Sequence, residues 1–140
     1  MWTDGSCLGN PGPMAWCAIL DYNGTRKEIT PDVLVEGTNN RAELLAVIGG
    51  LKALREPCEV VVTSDSQYVV KGVNEWDLPD KGRCEQCTNA DLWGDVYTLI
   101  YESGHKVKFI WQRGHAGHRE NERCNAVAEG LLHKLQGEPK

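Results

Sequence analysis

The stretch Glu59-Val60-Val61-Val62-Thr63-Ser64 restricts the fold more than any other part of the chain. An unbroken run of β-branched residues suits a strand covered on both faces, as in sheets flanked by helices. The neighbouring segments can supply that cover. Upstream, Leu44, Val47, Ile48 and Leu51 recur at helical spacing, and downstream Ser66 opens a short helix through Val73. Before Thr38 the pattern is that of strands and turns.

Met1-Trp2 is a brief apolar lead that ends as a strand at Asp4, followed by a turn rich in Gly, Asn and Pro through Pro13. Ala15 to Leu20 reads as a strand, Tyr22-Asn23-Gly24-Thr25 as a hairpin turn, and Arg26 to Ile29 as the returning strand. After Pro31-Asp32, Val33-Leu34-Val35 extends the sheet edge. Asn39 and Asn40 stand where a helix cap belongs, with Glu43 three after Asn40 as in a capping box. Gly49-Gly50 costs that helix about 1 kcal/mol per glycine against alanine, which points to close packing on a neighbour. Trp76 to Ala90 is a polar loop, and Asp91 to Glu102 is helical with Leu92, Val96 and Leu99 on one face. Val107, Phe109 and Trp111 alternate as a strand. The last helix, Asn121 to Leu135, turns Cys124, Ala128, Leu131 and Leu135 inward. The order predicts one α/β domain over residues 1–140, a three-layer fold. Its five-stranded mixed sheet has three antiparallel strands, then two parallel, with helices on both faces.

A net charge of −5 argues against a general nucleic-acid coat protein, whose footprint is basic. It leaves room for an enzyme that gathers acids around a cation. No apolar run approaches the ~20 residues of a membrane span, and no basic-then-apolar leader opens the chain. The expectation is a cytoplasmic monomer with no membrane and no obligatory protein partner. The six cysteines are then reduced thiols, with Cys17, Cys58 and Cys124 acting as small hydrophobes. Cys84-Glu85-Gln86-Cys87 is open between a local disulfide and half of a metal site.

Three acids stand at the ends of elements: Asp4 after a strand, Glu43 in a first helical turn, and Asp65 after the valine strand. Each has an ordinary alternative. Asp4 suits a turn, Glu43 a capping box and Asp65 a helix N-cap. Together they point to one ligand-binding edge of the sheet. Carboxylates gathered there repel unless a hard cation joins them, and oxygen-only ligands suit magnesium or manganese.

Four stretches carry a resemblance. They are Thr3-Asp4-Gly5-Ser6-Cys7-Leu8-Gly9-Asn10-Pro11-Gly12-Pro13, Thr38-Asn39-Asn40-Arg41-Ala42-Glu43-Leu44, Thr63-Ser64-Asp65-Ser66-Gln67-Tyr68-Val69 and Gly114-His115-Ala116-Gly117-His118-Arg119-Glu120-Asn121-Glu122-Arg123-Cys124. In this order and over nearly the whole chain they closely resemble bacterial type 1 ribonuclease H. The resemblance implies an endonuclease that cuts the RNA strand of an RNA–DNA hybrid, leaving 5′-phosphate and 3′-hydroxyl ends. It implies that Asp4, Glu43 and Asp65 hold two Mg2+ or Mn2+ ions, and that His115 assists proton transfer or product release. It assigns Asn10, Asn39, Asn40 and Gln67 to the hybrid's minor groove, where a 2′-hydroxyl distinguishes RNA, and Gly5 and Cys7 to substrate binding. Thr38 and Asn89 fall to a DNA-strand phosphate, and Trp76 to an aromatic lying along the DNA strand. Read without the family, His115 is equally a loop residue bonded to backbone, and Trp76 a core tryptophan.

Three departures stand out. The family's fourth carboxylate position, after Arg123-Cys124, is Asn125, which bears on catalysis and metal binding. The basic protrusion is shortened to Asp77–Thr88, with Lys81 and Arg83 its only basic residues. The first strand is brief. A hybrid-binding domain with catalysis reduced or lost through Asn125 is the alternative. Converging acids favour the enzyme, since a binder has no need of them. A transposase or resolvase of the same general fold is a further reading, disfavoured by the groove asparagines and Gln67.

Overall fold

The computed structural model describes residues 1–9, 11–22, 24–74, 89–113 and 119–137, with side chains through 134. The strands are β1 (Trp2–Cys7), β2 (Gly12–Tyr22), β3 (Thr25–Ile29), β4 (Glu36–Gly37), β5 (Glu59–Ser64) and β6 (Lys106–Trp111). The helices are α1 (Asn39–Lys52), α2 (Gln67–Asn74), α3 (Ala90–Tyr97) and α4 (Arg119–Gly137), and α3 runs on into a π turn over Thr98–Glu102.

The main sheet has the order β3-β2-β1-β5-β6. β1 and β3 pair antiparallel to β2, while β5 is parallel to both β1 and β6. This is the expected mixed sheet, with one small addition. The sheet-edge segment expected at Val33–Val35 instead pairs at Glu36–Gly37, opposite Pro13 and Gly12 of β2. Its position is fixed by the Met14 amide donating to the Val35 carbonyl and by the Met14 side chain lying where a Cβ on Gly37 would stand.

Alternation along β2 divides the core. Trp16 and Ala18 face α1, where Gly49 and Gly50 admit them: a Cβ on Gly49 would fall 2.1 Å from the Trp16 ring. The glycine pair therefore packs closely, as its cost in helix propensity implied. Ala15, Cys17 and Ile19 point the other way, towards Ala128, Leu132 and Cys124 of α4. The larger cluster joins α1, α2 and α3 to β5 and β6 through Leu44, Val47, Leu51, Val62, Val69, Trp93, Val96 and Phe109.

Several details differ from the sequence expectation. α1 is capped by Thr38, whose Oγ1 accepts from the Arg41 amide at 3.2 Å, so Glu43 is not a capping acid. Ser66, not Asp65, accepts from the amide of Val69 at the start of α2. On α3, Trp93 is fully buried and Ile100 follows from the π turn, a shift of face that a regular helical period does not anticipate. On α4, Leu132 rather than Leu131 is the buried leucine, and the side chain of Leu135 lies outside the described residues. The valine strand is covered on one face only. Val62 is buried, but Val61 is 47% exposed and Ile110 43%, because α4 lies over β1 and β2 and leaves β5 and β6 open on that side. Among the described residues no helix is long and apolar enough to cross a membrane.

Candidate active site

Asp4 is the third residue of the six-residue β1, not its end, so the first strand is longer than its sequence suggests. β1 and β5 pair at Trp2↔Thr63 and Thr3↔Ser64. The next residue on each chain is an aspartate, Asp4 and Asp65, and beyond this point β5 gives way to α2. The sheet thus opens beside these two carboxylates, the position at which parallel strands present ligand sites.

Glu43 reaches the same point from the second turn of α1. Gly5 is what lets it in. A Cβ there would lie 2.4 Å from the Ala42 carbonyl carbon and 2.6 Å from the Glu43 nitrogen, so only glycine allows α1 to rest this closely on β1. The Gly5 backbone amide also lowers both the Asp4 and the Glu43 carboxyl, against the larger effect of burial. Carboxylate oxygens of Asp4, Glu43 and Asp65 all lie within 4.8 Å of one another.

Asp4 and Cys17 are register partners, which puts both on the α4 face of the sheet. There Asn125 completes the group: its Nδ2 donates to Asp4 Oδ2 at 2.9 Å. Burial pushes the Asp4 carboxyl up to about 7, helped by the charge of Asp65 and opposed by the Asn125 amide. Burial and the charges of Asp4 and Asp65 raise Glu43 well above the usual carboxylate range. Glu43 Oε1 is buried with no hydrogen-bond partner. A buried oxygen without a partner, among acids that resist ionising side by side, fits a divalent cation, which would satisfy the oxygen and neutralise the repulsion. The donors are all oxygen, the set preferred by magnesium and manganese.

The other expected residues fall into groups. Thr38 and Asn89 are brought together through Arg41, whose backbone amide donates to Thr38 Oγ1 and whose Nη1 donates to Asn89 Oδ1 at 3.2 Å. Asn89 has φ 62, a left-handed conformation that asparagine tolerates better than most residues. Its Nδ2 donates to the Tyr68 hydroxyl, which also accepts from Trp93 Nε1. Gly5 and Cys7 lie on β1, Cys7 half-buried with its thiol against the carbonyls of Gly12 and Gly37. Asn39, Asn40 and Gln67 are exposed at the starts of α1 and α2. Asn10, Trp76, His115 and the Cys84–Cys87 pair lie outside the described residues.

Two residues escaped the sequence reading. Arg41 grips Asp91 with both terminal nitrogens, at 2.9 and 2.7 Å, and pulls that carboxyl down to about 2. Its signal was its place three after Thr38, in a stretch read only for its asparagines and acid. Trp111, expected inward on β6, instead donates from Nε1 to the Asp65 carbonyl at 3.1 Å and buttresses the end of β5. Strand alternation carries no sign of that bond.

Sheet topology and acid cluster together define a class of α/β protein that gathers carboxylates at a strand opening to hold divalent cations. Comparison with known proteins narrows it. Residues 1–132 match the family model described as RNase H. A ribonuclease H of Pseudomonas putida (strain W619) is 48% identical over 134 residues, covering 91% of this chain and 88% of that protein. One from Nitratidesulfovibrio vulgaris (strain DP4) is 46% identical over 138 residues, covering 91% and 85%. Among solved structures, LC9-RNase H1, described as a type 1 RNase H with the type 2 active-site motif, matches with a TM-score of 0.73 and 30% identity, over 93% of this chain and 69% of that one. LC11-RNase H1, solved in complex with an RNA/DNA hybrid, has the same fold, with a TM-score of 0.74 at 23% identity over 96% of each chain. The chain belongs to the ribonuclease H family.

Proposed function

We infer that this protein is an endoribonuclease that hydrolyses the RNA strand of RNA–DNA hybrids, leaving 5′-phosphate and 3′-hydroxyl ends, and that residues 1–140 act as one ribonuclease H domain. The observation that carries the reading is the convergence of Asp4, Glu43 and Asp65 within 4.8 Å, in a chain of this family. A pure binder of nucleic acid would avoid such a group, since three acids repel phosphate and destabilise the fold.

Asp4, Glu43 and Asp65 are the residues that would hold Mg2+ or Mn2+, with two ions expected during turnover. When bound, such ions supply Lewis-acid activation of the attacking water and charge stabilisation at the leaving 3′ oxygen. The chain's own residues set the geometry. Gly5 brings Glu43 close to Asp4 by letting α1 rest on β1, and Trp111 fixes the backbone at Asp65. Asn125 orients Asp4 by its hydrogen bond and adds a neutral amide oxygen where the family places an acid. His115 takes the role of moving a proton or releasing product.

For the substrate, Asn10, Asn39, Asn40 and Gln67 are assigned to the hybrid's minor groove, where contacts to the 2′-hydroxyl select the RNA strand, and Gly5 and Cys7 to substrate binding. Thr38 and Asn89 hold a DNA-strand phosphate at the junction organised by Arg41, and Trp76 lies along the DNA strand. The protein works as a cytoplasmic monomer.

A cleavage assay on a hybrid labelled in either strand, run with magnesium and with manganese, tests the reading. RNA-strand cuts that require the metal are expected. Binding without cleavage under both metals would leave a hybrid-binding domain in its place.

A further inference from the structure

Behind the acidic cluster two thiols lie together. Cys17 is the register partner of Asp4, and Cys124 is in the second turn of α4, one residue before Asn125. Both are fully buried, with Ile19, Trp2 and Val127 around them. The Cys124 thiol approaches the Trp2 carbonyl at 3.4 Å, and Cys17 and Cys124 pack in the same small buried cluster. One such residue would be an ordinary small core side chain. Two packed in one cluster form a dithiol between β2 and α4, beside the Asn125–Asp4 hydrogen bond.

We propose that Cys17 and Cys124 are a redox modification site, closing into a reversible disulfide when the protein meets a hydroperoxide, and that the bond slows cleavage by moving Asn125 relative to Asp4. In the first step the Cys17 sulfur attacks the peroxide O–O bond, becomes a sulfenic acid and releases one water. The Cys124 sulfur then displaces the sulfenic oxygen as a second water and forms the S–S bond. Two thiols lose two protons and two electrons, and hydrogen peroxide is reduced to two waters. A thiol reductant reverses the exchange.

Because the two side chains already pack in one cluster, closure keeps the fold. Replacing the contact by a covalent bond draws the start of α4 towards β2, and Asn125, the next residue, moves with it. The bond also closes a loop running from Cys17 to Cys124, most of the chain, so the unfolded state loses much of its freedom. Burial of both sulfurs makes the reaction depend on local opening of α4 from the sheet.

The experiment treats the full-length protein with hydrogen peroxide, blocks remaining thiols, and maps cross-linked peptides by mass spectrometry beside melting and cleavage measurements. Expected are a Cys17–Cys124 peptide lighter by two hydrogens and a melting temperature raised by roughly 10 °C. Cleavage should fall about 10–100-fold, and dithiothreitol should restore the starting values. Cys17→Ala should keep the basal rate and lose the response to peroxide, and Cys124→Ala serves as the second variant.

A cross-link confined to Cys84 and Cys87, sulfinic acid at Cys17 without a bond, or a bond that leaves the rate unchanged would each overturn the proposal. The effect on rate rests on the cleavage reading above. The cross-link and the melting shift do not, so failure of one is distinguishable from failure of the other.

Discussion

Asp4 faces an amide at the position where the family places a fourth carboxylate. In the metal-free protein the amide is the better neighbour, since Asn125 Nδ2 donates to Asp4 Oδ2 at 2.9 Å while a carboxylate there would repel it. With metal bound the balance reverses, because an acid brings the charge and proton affinity that an amide lacks. Asn125→Asp is therefore expected to lower the metal concentration needed for half-maximal rate and to raise the rate by at most ~10²–10⁴-fold. The same variant should melt lower without metal, and paired metal titrations of rate and melting temperature check both directions. Asp65 contributes to the repulsion that raises Asp4 and Glu43. Asp65→Asn should cut cleavage by roughly 10³-fold or more while raising the metal-free melting temperature. Cleavage near the parental rate would remove Asp65 from the ligand set.

At the scale of elements, the site depends on how closely α1 lies on β1. Gly5 sets that distance. In Gly5→Ala the new methyl group would meet backbone atoms of Ala42 and Glu43, which cannot swing aside as a side chain can. The helix must lift and carry Glu43 away from Asp4. The expected cost is about 1–3 kcal/mol of stability and about 10²-fold in rate, read by denaturant melts and steady-state cleavage. Gly130→Ala on α4 is the control, since its Cβ would meet nothing within 4 Å. That change should stabilise the protein by up to ~1 kcal/mol and leave the rate alone. α4 is tied to the sheet by Arg123, which bonds both carboxylate oxygens of Glu28, and by the Arg26–Glu120 pair. These links cross from β3 to the turns that carry Cys124 and Asn125.

For the whole molecule, the acid cluster sets the dependence of stability on pH. In the unfolded chain the Asp4 carboxyl gives up its proton near its model-peptide value of about 4, whereas in the native protein it holds it up to about 7. Glu43 is shifted in the same direction. Between these limits the native state binds more protons than the unfolded state, so stability falls as pH rises. Below the window there is no cost, and above it the cost is complete. The metal-free protein should accordingly lose several degrees in melting temperature from about pH 5 to about pH 7.5, and magnesium should flatten the slope. A metal-free melting temperature that rose over this range would contradict the raised carboxyls.

What the sequence determined by itself was the order of elements, the helical face of α1 and the identity of the acids, since these rest on local period, turn chemistry and residue type. The Gly49-Gly50 pair was legible for the same reason, its propensity cost requiring a packing partner. Tertiary structure alone decided the rest. Thr38 rather than an asparagine caps α1, because several nearby residues can cap and only one is placed to accept. Val61 and Ile110 stay exposed because α4 covers β1 and β2 only, and no single strand's pattern records how far a distant helix extends. Arg41 finds Asp91 and Asn89 some fifty residues away, a pairing that depends on the packing of α1 against α3. The cluster itself needs β1 to pair with β5 for two residues and then part. That register comes from the packed sheet, so it could be read only once the chain had folded.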